Sequence, residues 1–151
     1  MSLNSDNLIQ KANNWLQPHF DKNTQAAIQN LIDGPNEALE DAFYTSLAFG
    51  TGGMRGIMGA GDNRINKYTL GKATQGLSNY LKSEFAEESA KESLRVVIAY
   101  DCRHNSDSLA QTVAEVFSAN GVQVKLFSSL RPTPELSFAV RELQCHCGIV
   151  L

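Results

Sequence analysis

The sequence predicts an α/β protein: a three-layer α/β/α sandwich on a mixed, mainly parallel sheet of about four strands, preceded by an N-terminal helical extension. Two observations carry this. After Leu94, short apolar runs alternate with helical periodicity in the order β-α-β-α-β, the pattern of a parallel sheet buried between helices. Before Thr45, the apolar residues recur at helical spacing. Between these regions lies FGTGGMRGIMGAG (49–61), six glycines in thirteen residues with a single arginine among them.

Leu8, Ala12, Trp15 and Leu16 fall at i, i+4, i+7 and i+8, which gives a first helix with Ser5 as its cap and Gln17-Pro18 as its end. Ile28, Leu31 and Ile32 form a second stripe, stopped at Gly34-Pro35, and Leu39, Ala42 and Phe43 a third short helix. None of these segments carries an obvious chemical group, so residues 1–45 read as the extension and 46–151 as the domain. The glycine-rich loop runs from Phe49 to Asn63. Leu70, Ala73, Leu77, Tyr80 and Leu81 then predict a helix from about Lys67 to Phe85, with FAEESAKES (85–93) as its frayed end and a loop.

Val96 to Tyr100 is an apolar run suited to a buried parallel strand. Ser108-x-x-Gln111 is a candidate capping box for a helix faced by Leu109, Val113, Val116 and Phe117, with Gly121 in the C-cap place. Val122, Val124, Leu126 and Phe127 give a second strand. Thr133 caps a third helix, with Pro134 at its first position, Glu135 favoured by the helix dipole, and Leu136, Val140 and Leu143 along its face. Cys147 to Leu151 (CGIVL) is the last strand. The chain stops on that strand's final residue, at the edge where open α/β sheets carry ligands. We therefore read it as a piece of a longer protein.

Composition removes several function classes. The 151 residues amount to about one domain. A net charge of −3, from 13 basic and 16 acidic residues, gives no field for nucleic acid and no polybasic membrane patch. No apolar run approaches the roughly 20 residues of a membrane span. The start MSLNSDNLIQ lacks the basic and apolar regions of a secretory signal. Three cysteines cannot complete a disulfide framework, so reduced thiols in the cytoplasm are the simplest reading.

The glycine-rich loop is not a standard nucleotide fingerprint. Gly50-x-Gly52 is followed by Arg55 where G-x-G-x-x-G needs glycine, and Gly56-x-x-x-x-Gly61 is followed by Asp62-Asn63 rather than Lys-Ser/Thr. What remains is physical. Glycines permit positive φ and close backbone approach, and Arg55 stands among them as a fixed cation able to grip a phosphate bidentately. The alternative is a tight turn whose arginine pairs with a surface carboxylate. Asp101-Cys102-Arg103-His104-Asn105 follows the first strand, at the sheet's functional edge. We favour an Asp101–Arg103 pair that shapes the turn over direct catalysis; a supporting role, holding a neighbouring loop in place, fits both readings. In Cys145-His146-Cys147, strand geometry puts the two thiols on one side and His146 on the other. Buried core thiols account for that cluster better than a metal site, which wants four ligands.

Several motifs in order carry a resemblance. FGTGGMRGIMGAGDNRIN, KYTLGKATQGLSNYL, VVIAYDCRHNS and RPTPELSFAVRELQCHCGIVL together resemble the N-terminal domain of the α-D-phosphohexomutases, the phosphoglucomutase/phosphomannomutase family. KANNWLQ looks like the phosphoglucomutase-2-like branch. The resemblance implies a four-domain enzyme that moves a phosphoryl group between the 1- and 6-positions of a hexose phosphate. A phosphoserine and a hexose 1,6-bisphosphate intermediate carry the transfer. It implies Mg2+ held by residues of a second domain, and a serine loop beginning just after Leu151. It also implies a phosphosugar substrate and the remaining domains of the same polypeptide as partners. Of the active-site groups, only the loop arginine maps here, onto Arg55, expected beside the carboxyl end of the last strand. The sugar could be glucose, mannose, glucosamine or a pentose. A non-catalytic sugar-phosphate-binding or scaffold protein on the same fold stays open.

Overall fold

The structure is a computed structural model that describes residues 5–151, and the chain divides into two compact units, one ending at Thr69 and one running from Leu70 to Leu151. The first unit holds three helices, α1 (Ser5–Asn14), α2 (Lys22–Ile32) and α3 (Asn36–Phe43). A minimal antiparallel hairpin follows, β1 (Phe49–Gly50) and β2 (Gly53–Met54), and then the first turn of α4 (Lys67–Glu84). The side chain of Ser5, expected as the cap of α1, lies outside the described residues.

The apolar stripes meet as their spacing requires. Leu8, Ala12, Trp15, Ile28, Leu39, Ala42 and Phe43 form one buried cluster. Trp15 stacks on Phe20 at 4.8 Å and meets Tyr68 edge-on at 5.6 Å, the offset and T-shaped arrangements that aromatic quadrupoles favour. Asp21 caps α2 by accepting from the Thr24 N–H at 2.9 Å. The same carboxylate accepts from the Tyr68 hydroxyl at 2.8 Å and pairs with Lys67 Nζ at 3.0 Å. Those donors, the Thr24 N–H foremost, hold its carboxyl far below the usual carboxylate range.

The second unit contains the rest of α4, the short α5 (Ala86–Ser89), β3 (Arg95–Ala99), α6 (Ser106–Ala119), β4 (Gln123–Leu126), α7 (Thr133–Glu142) and β5 (Cys147–Val150). Its sheet is wholly parallel, in the order β4-β3-β5. The strands read from the sequence are these three. The sheet therefore has three members rather than about four, and the antiparallel pairing sits in the separate β1–β2 hairpin. Val96, Val97, Ile98 and Ala99 are all 0–1% exposed, so β3 is covered on both faces. Val96 and Ile98 pack with Ala110, Val113 and Phe117 of α6 and Leu81 of α4. Val97 and Ala99 pack with Leu136 and Ala139 of α7. This is the expected α/β/α layering.

Two helix starts differ from expectation. α6 begins at Ser106, so Ser108 is already inside it. Its hydroxyl donates to the Asn105 carbonyl while Gln111 donates to Glu115, and no capping box forms. Thr133 is the first residue of α7, preceded by Pro132, and makes no cap hydrogen bond.

Two measurements follow. Ser78 on α4 is fully buried, and its hydroxyl has no partner among the described residues. Ser78→Ala should raise stability by about 1 kcal/mol, read by chemical denaturation, because it removes an uncompensated buried polar group. Asp21 is depressed in the folded state, so the unfolded chain takes up its proton first on acidification. Its contribution is present at neutral pH and is lost as pH falls below about 4. Asp101 is depressed too, so the informative quantity is the wild type against Asp21→Asn. Their difference in denaturation midpoint, followed by Trp15 fluorescence, should be present at pH 7 and shrink toward pH 2.

Candidate functional site

The glycine-rich segment is built onto the helices of the first unit by polar contacts. The Trp15 indole N–H donates to the Asp62 carboxylate at 3.2 Å. Leu47 N–H donates to the Asp62 carbonyl at 2.9 Å, and Asn63 N–H to the Ala42 carbonyl at 3.0 Å. Arg64 donates to the Asp41 carboxylate at 2.6 Å. Asn66 works in both directions: its side-chain oxygen accepts from the N–H groups of Tyr68 and Thr69, capping α4, and its amide donates to the carbonyls of Gly59 and Gly61.

Glycine is required here for two separate reasons. Gly53 has φ +90, which closes the turn between β1 and β2. Gly61 has φ +124, and a Cβ there would stand 2.7 Å from the Ala42 carbonyl oxygen. At Gly56 a Cβ would meet only the end of the Leu47 side chain, at 2.8 Å, which can give way.

Arg55 itself is exposed. Its guanidinium lies back over Gly52, where an added Cβ would be 3.2 Å from a terminal nitrogen. The chain has six arginines. Arg64, Arg95, Arg103, Arg131 and Arg141 each donate to a carboxylate, carbonyl or hydroxyl. Arg55 alone has no hydrogen-bond or ion-pair acceptor among the described residues. The alternative reading, an arginine paired with a surface carboxylate, has no such pair to rest on among those residues.

At the carboxyl edge of the second unit's sheet, the Asp101–Asn105 turn takes the turn-shaping form. Asp101 accepts from the Arg103 N–H at 3.0 Å, from Arg103 Nε at 2.8 Å and from the Ser106 hydroxyl at 3.2 Å. Arg103 thereby holds the Asp101 carboxyl below its ordinary range. Asn105 takes the left-handed conformation, φ 60, that starts α6.

Cys145 and Cys147 do not share a face, contrary to the strand-based expectation. Cys145 packs on the α7 side with Val97 and Leu136, and Cys147 on the α6 side with Val96 and Phe117. The reason is that β5 begins only at Cys147, and Gln144, with φ 50, turns the chain just before it. Burial pushes both thiols up, which keeps them protonated and poor as metal ligands or nucleophiles. His146 Nδ1 accepts from the Arg95 N–H at 3.0 Å, so its Nε2 carries the proton that bonds Glu88 at 3.0 Å. Both ring nitrogens are thus spent on structure. Among the described residues no three His, Cys, Asp or Glu side chains converge to hold a metal ion. No helix there is long and apolar enough to cross a membrane.

Residues 46–151 match the model of the phosphoglucomutase/phosphomannomutase α/β/α domain I. The chain belongs to that family. A phosphoglucomutase of Staphylococcus epidermidis is 36% identical over 140 residues, covering 92% of this chain and 24% of its own length. One from Staphylococcus haemolyticus is 41% identical over 112 residues, covering 74% and 19%. One from Staphylococcus aureus is 37% identical over 143 residues, covering 95% and 23%. The chain thus spans about a quarter of the length of the curated relatives it matches, and no solved structure matches it. Within this domain I, Arg55 and the Asp101 turn are the sequence-predicted groups. Arg55 lies in the first unit, and the Asp101 turn and Leu151 in the second. Sequence reasoning missed Asp62, Asn66 and Trp15 as the supports of the loop. An Asn directly before the predicted helix start at Lys67, read as a cap signal, could have found Asn66.

The two glycines with positive φ should respond unequally to alanine. Gly53→Ala meets nothing within 4 Å and should cost only the backbone strain, about 1–2 kcal/mol. Gly61→Ala adds a clash with main chain and should cost more than Gly53→Ala. Denaturation followed by Trp15 fluorescence reports the unit that carries both.

Proposed function

We propose that this chain is the first domain of a phosphohexomutase that moves a phosphoryl group between the 1- and 6-positions of a hexose phosphate. The observation that carries the reading is Arg55: an exposed guanidinium without an acceptor among the described residues, in a loop cleared by glycine, within a chain of the phosphoglucomutase/phosphomannomutase family. The N-terminal KANNWLQ segment supports a place in the phosphoglucomutase-2-like branch.

In this reading a phosphoserine, on the loop that follows Leu151, gives its phosphoryl group to a sugar hydroxyl. The P–O bond to serine breaks, a P–O bond to the sugar forms, and the hydroxyl proton ends on the serine oxygen. The resulting hexose 1,6-bisphosphate returns its other phosphoryl group to the serine by the same exchange. Such transfers have a loose transition state with negative charge on the phosphoryl oxygens, so catalysis is mostly positioning and electrostatics. Arg55 supplies a cation that does not titrate, in a fork that fits two oxygens at once. The family implies a metal ion, Mg2+. In this reading residues of another domain hold it, and no step here runs through it. All three cysteines are free thiols, which supports a cytoplasmic setting.

The test is steady-state turnover of a hexose 1-phosphate by the full-length protein. Arg55→Ala should lower kcat by about 10²–10³, the scale of losing one preorganised charge-stabilising group. Arg55→Lys should recover only part, since a point charge cannot reproduce the fork. The 151-residue chain alone should give background turnover. Full activity in Arg55→Ala would return Arg55 to a turn-forming role. A full-length protein that binds the phosphosugar without turnover would favour the non-catalytic alternative.

A further inference from the structure

We infer that Asp101 is a positioning residue that fixes where the chain leaves β5, and so aims the segment following Leu151. The inference begins with one peptide unit. The Tyr100 carbonyl accepts from the Arg131 N–H at 3.1 Å, on the β4 side, while the Asp101 N–H of the same peptide donates to the Leu151 carbonyl at 2.8 Å, on the β5 side. Leu151 N–H in turn donates to the Ala99 carbonyl at 3.0 Å. Just past the paired residues, this peptide joins the end of β3 to the end of β5 on one side and to the loop between β4 and α7 on the other.

Those two hydrogen bonds hold the peptide's polar groups, but the chain is free to turn directly after it, so its plane needs a further restraint. The Asp101 side chain supplies the missing restraint. Its Oδ1 accepts from the Arg103 N–H, from Arg103 Nε at 2.9 Å and from the Ser106 hydroxyl, and its Oδ2 accepts from Arg103 Nε at 2.8 Å. Ser106 is the first residue of α6 and is buried, so the carboxylate is anchored to the helix as well as to the turn. Asp101 therefore determines the orientation of its own N–H, and that N–H determines the Leu151 carbonyl. Arg103 is spent in this contact, which distinguishes it from Arg55. The consequence for phosphoryl transfer rests on the function proposed above: a nucleophile carried just after Leu151 inherits its position from this carboxylate. Transfer rates are sensitive to misplacement on the ångström scale.

The experiment uses the full-length protein and two readouts. Amide hydrogen exchange should be roughly 10-fold faster at Asp101 and Leu151 in Asp101→Ala, with Val97 and Ile98 in the core of β3 unchanged, since only a local opening is eased. Turnover should lose about 10- to 100-fold in kcat with little change in KM, the mark of a displaced reacting group rather than lost substrate contacts. Asp101→Asn should fall between, because its oxygen still accepts from the Arg103 N–H and the Ser106 hydroxyl. Unchanged exchange at Leu151 overturns the inference. So does faster exchange throughout β3, which would make Asp101 a general stability residue. A wild type that turns over, with Asp101→Ala equal to it, overturns the functional part and leaves the mutase reading standing. A wild type without turnover overturns the mutase reading, and the exchange result still decides whether Asp101 holds Leu151.

Discussion

The second unit is organised by the burial of one strand. Four consecutive β3 residues, Val96 to Ala99, lose essentially all contact with water, and in a strand consecutive side chains point to opposite faces. Two apolar clusters must therefore exist, one over each face, and two helical layers must close them. Phe117 and Val113 on one side and Leu136 and Ala139 on the other are the replies to that requirement. Gly148 belongs to the same constraint: a Cβ there would come within 2.5 Å of Val140, so β5 can lie under α7 only where it has no side chain. A buried central strand with parallel neighbours also sends every carboxyl terminus to one edge. That is why the Asp101 turn and Leu151 meet, although they stand far apart in the sequence.

The first unit answers a different problem, how to hold an irregular glycine-rich backbone in one conformation. A loop of this kind has little side-chain surface to bury, so it borrows its order from polar contacts to the helices beside it. Asp62, Asn63, Arg64 and Asn66 each reach a backbone or side-chain partner on Trp15, Asp41, Ala42 or the start of α4. The three helices are thus the frame that holds the glycine-rich loop in place. The contrast between Arg64 and Arg55, nine residues apart, shows the division of labour: one guanidinium is consumed in scaffolding and the other is left over.

How much of this was legible in the sequence follows the range of the interactions. The helices were readable because Leu8, Ala12 and Trp15, or Leu70, Leu77 and Leu81, announce a buried face through spacing alone. β3 was readable because both its faces are covered, which removes the alternation that a half-exposed strand shows. Helix starts were less readable. Ser108-x-x-Gln111 has the form of a capping box, but the Asp101–Arg103–Ser106 contacts begin α6 earlier, and the hydroxyl of Ser108 is used inside it. Cys145 and Cys147 misled because alternation was extended one turn of chain before the strand starts. Arg55 was visible as a candidate. That every other arginine is engaged, and that Trp15 reaches Asp62, are facts of packing between residues far apart in sequence, and no local pattern encodes them.

The order β4-β3-β5 has a consequence for how the chain meets other chains. A three-strand sheet has one interior member and two rims, and each rim presents backbone donors and acceptors that strand pairing has not used. The two rims are unlike. β4 carries Lys125, a charge that discourages another strand from adding to it. β5 reads Cys-Gly-Ile-Val, with no charge and no proline, and Val150 remains partly open to water. Of the two borders of the sheet, this is the one chemically disposed to accept a further strand, whether from its own polypeptide or from a neighbour in a concentrated solution.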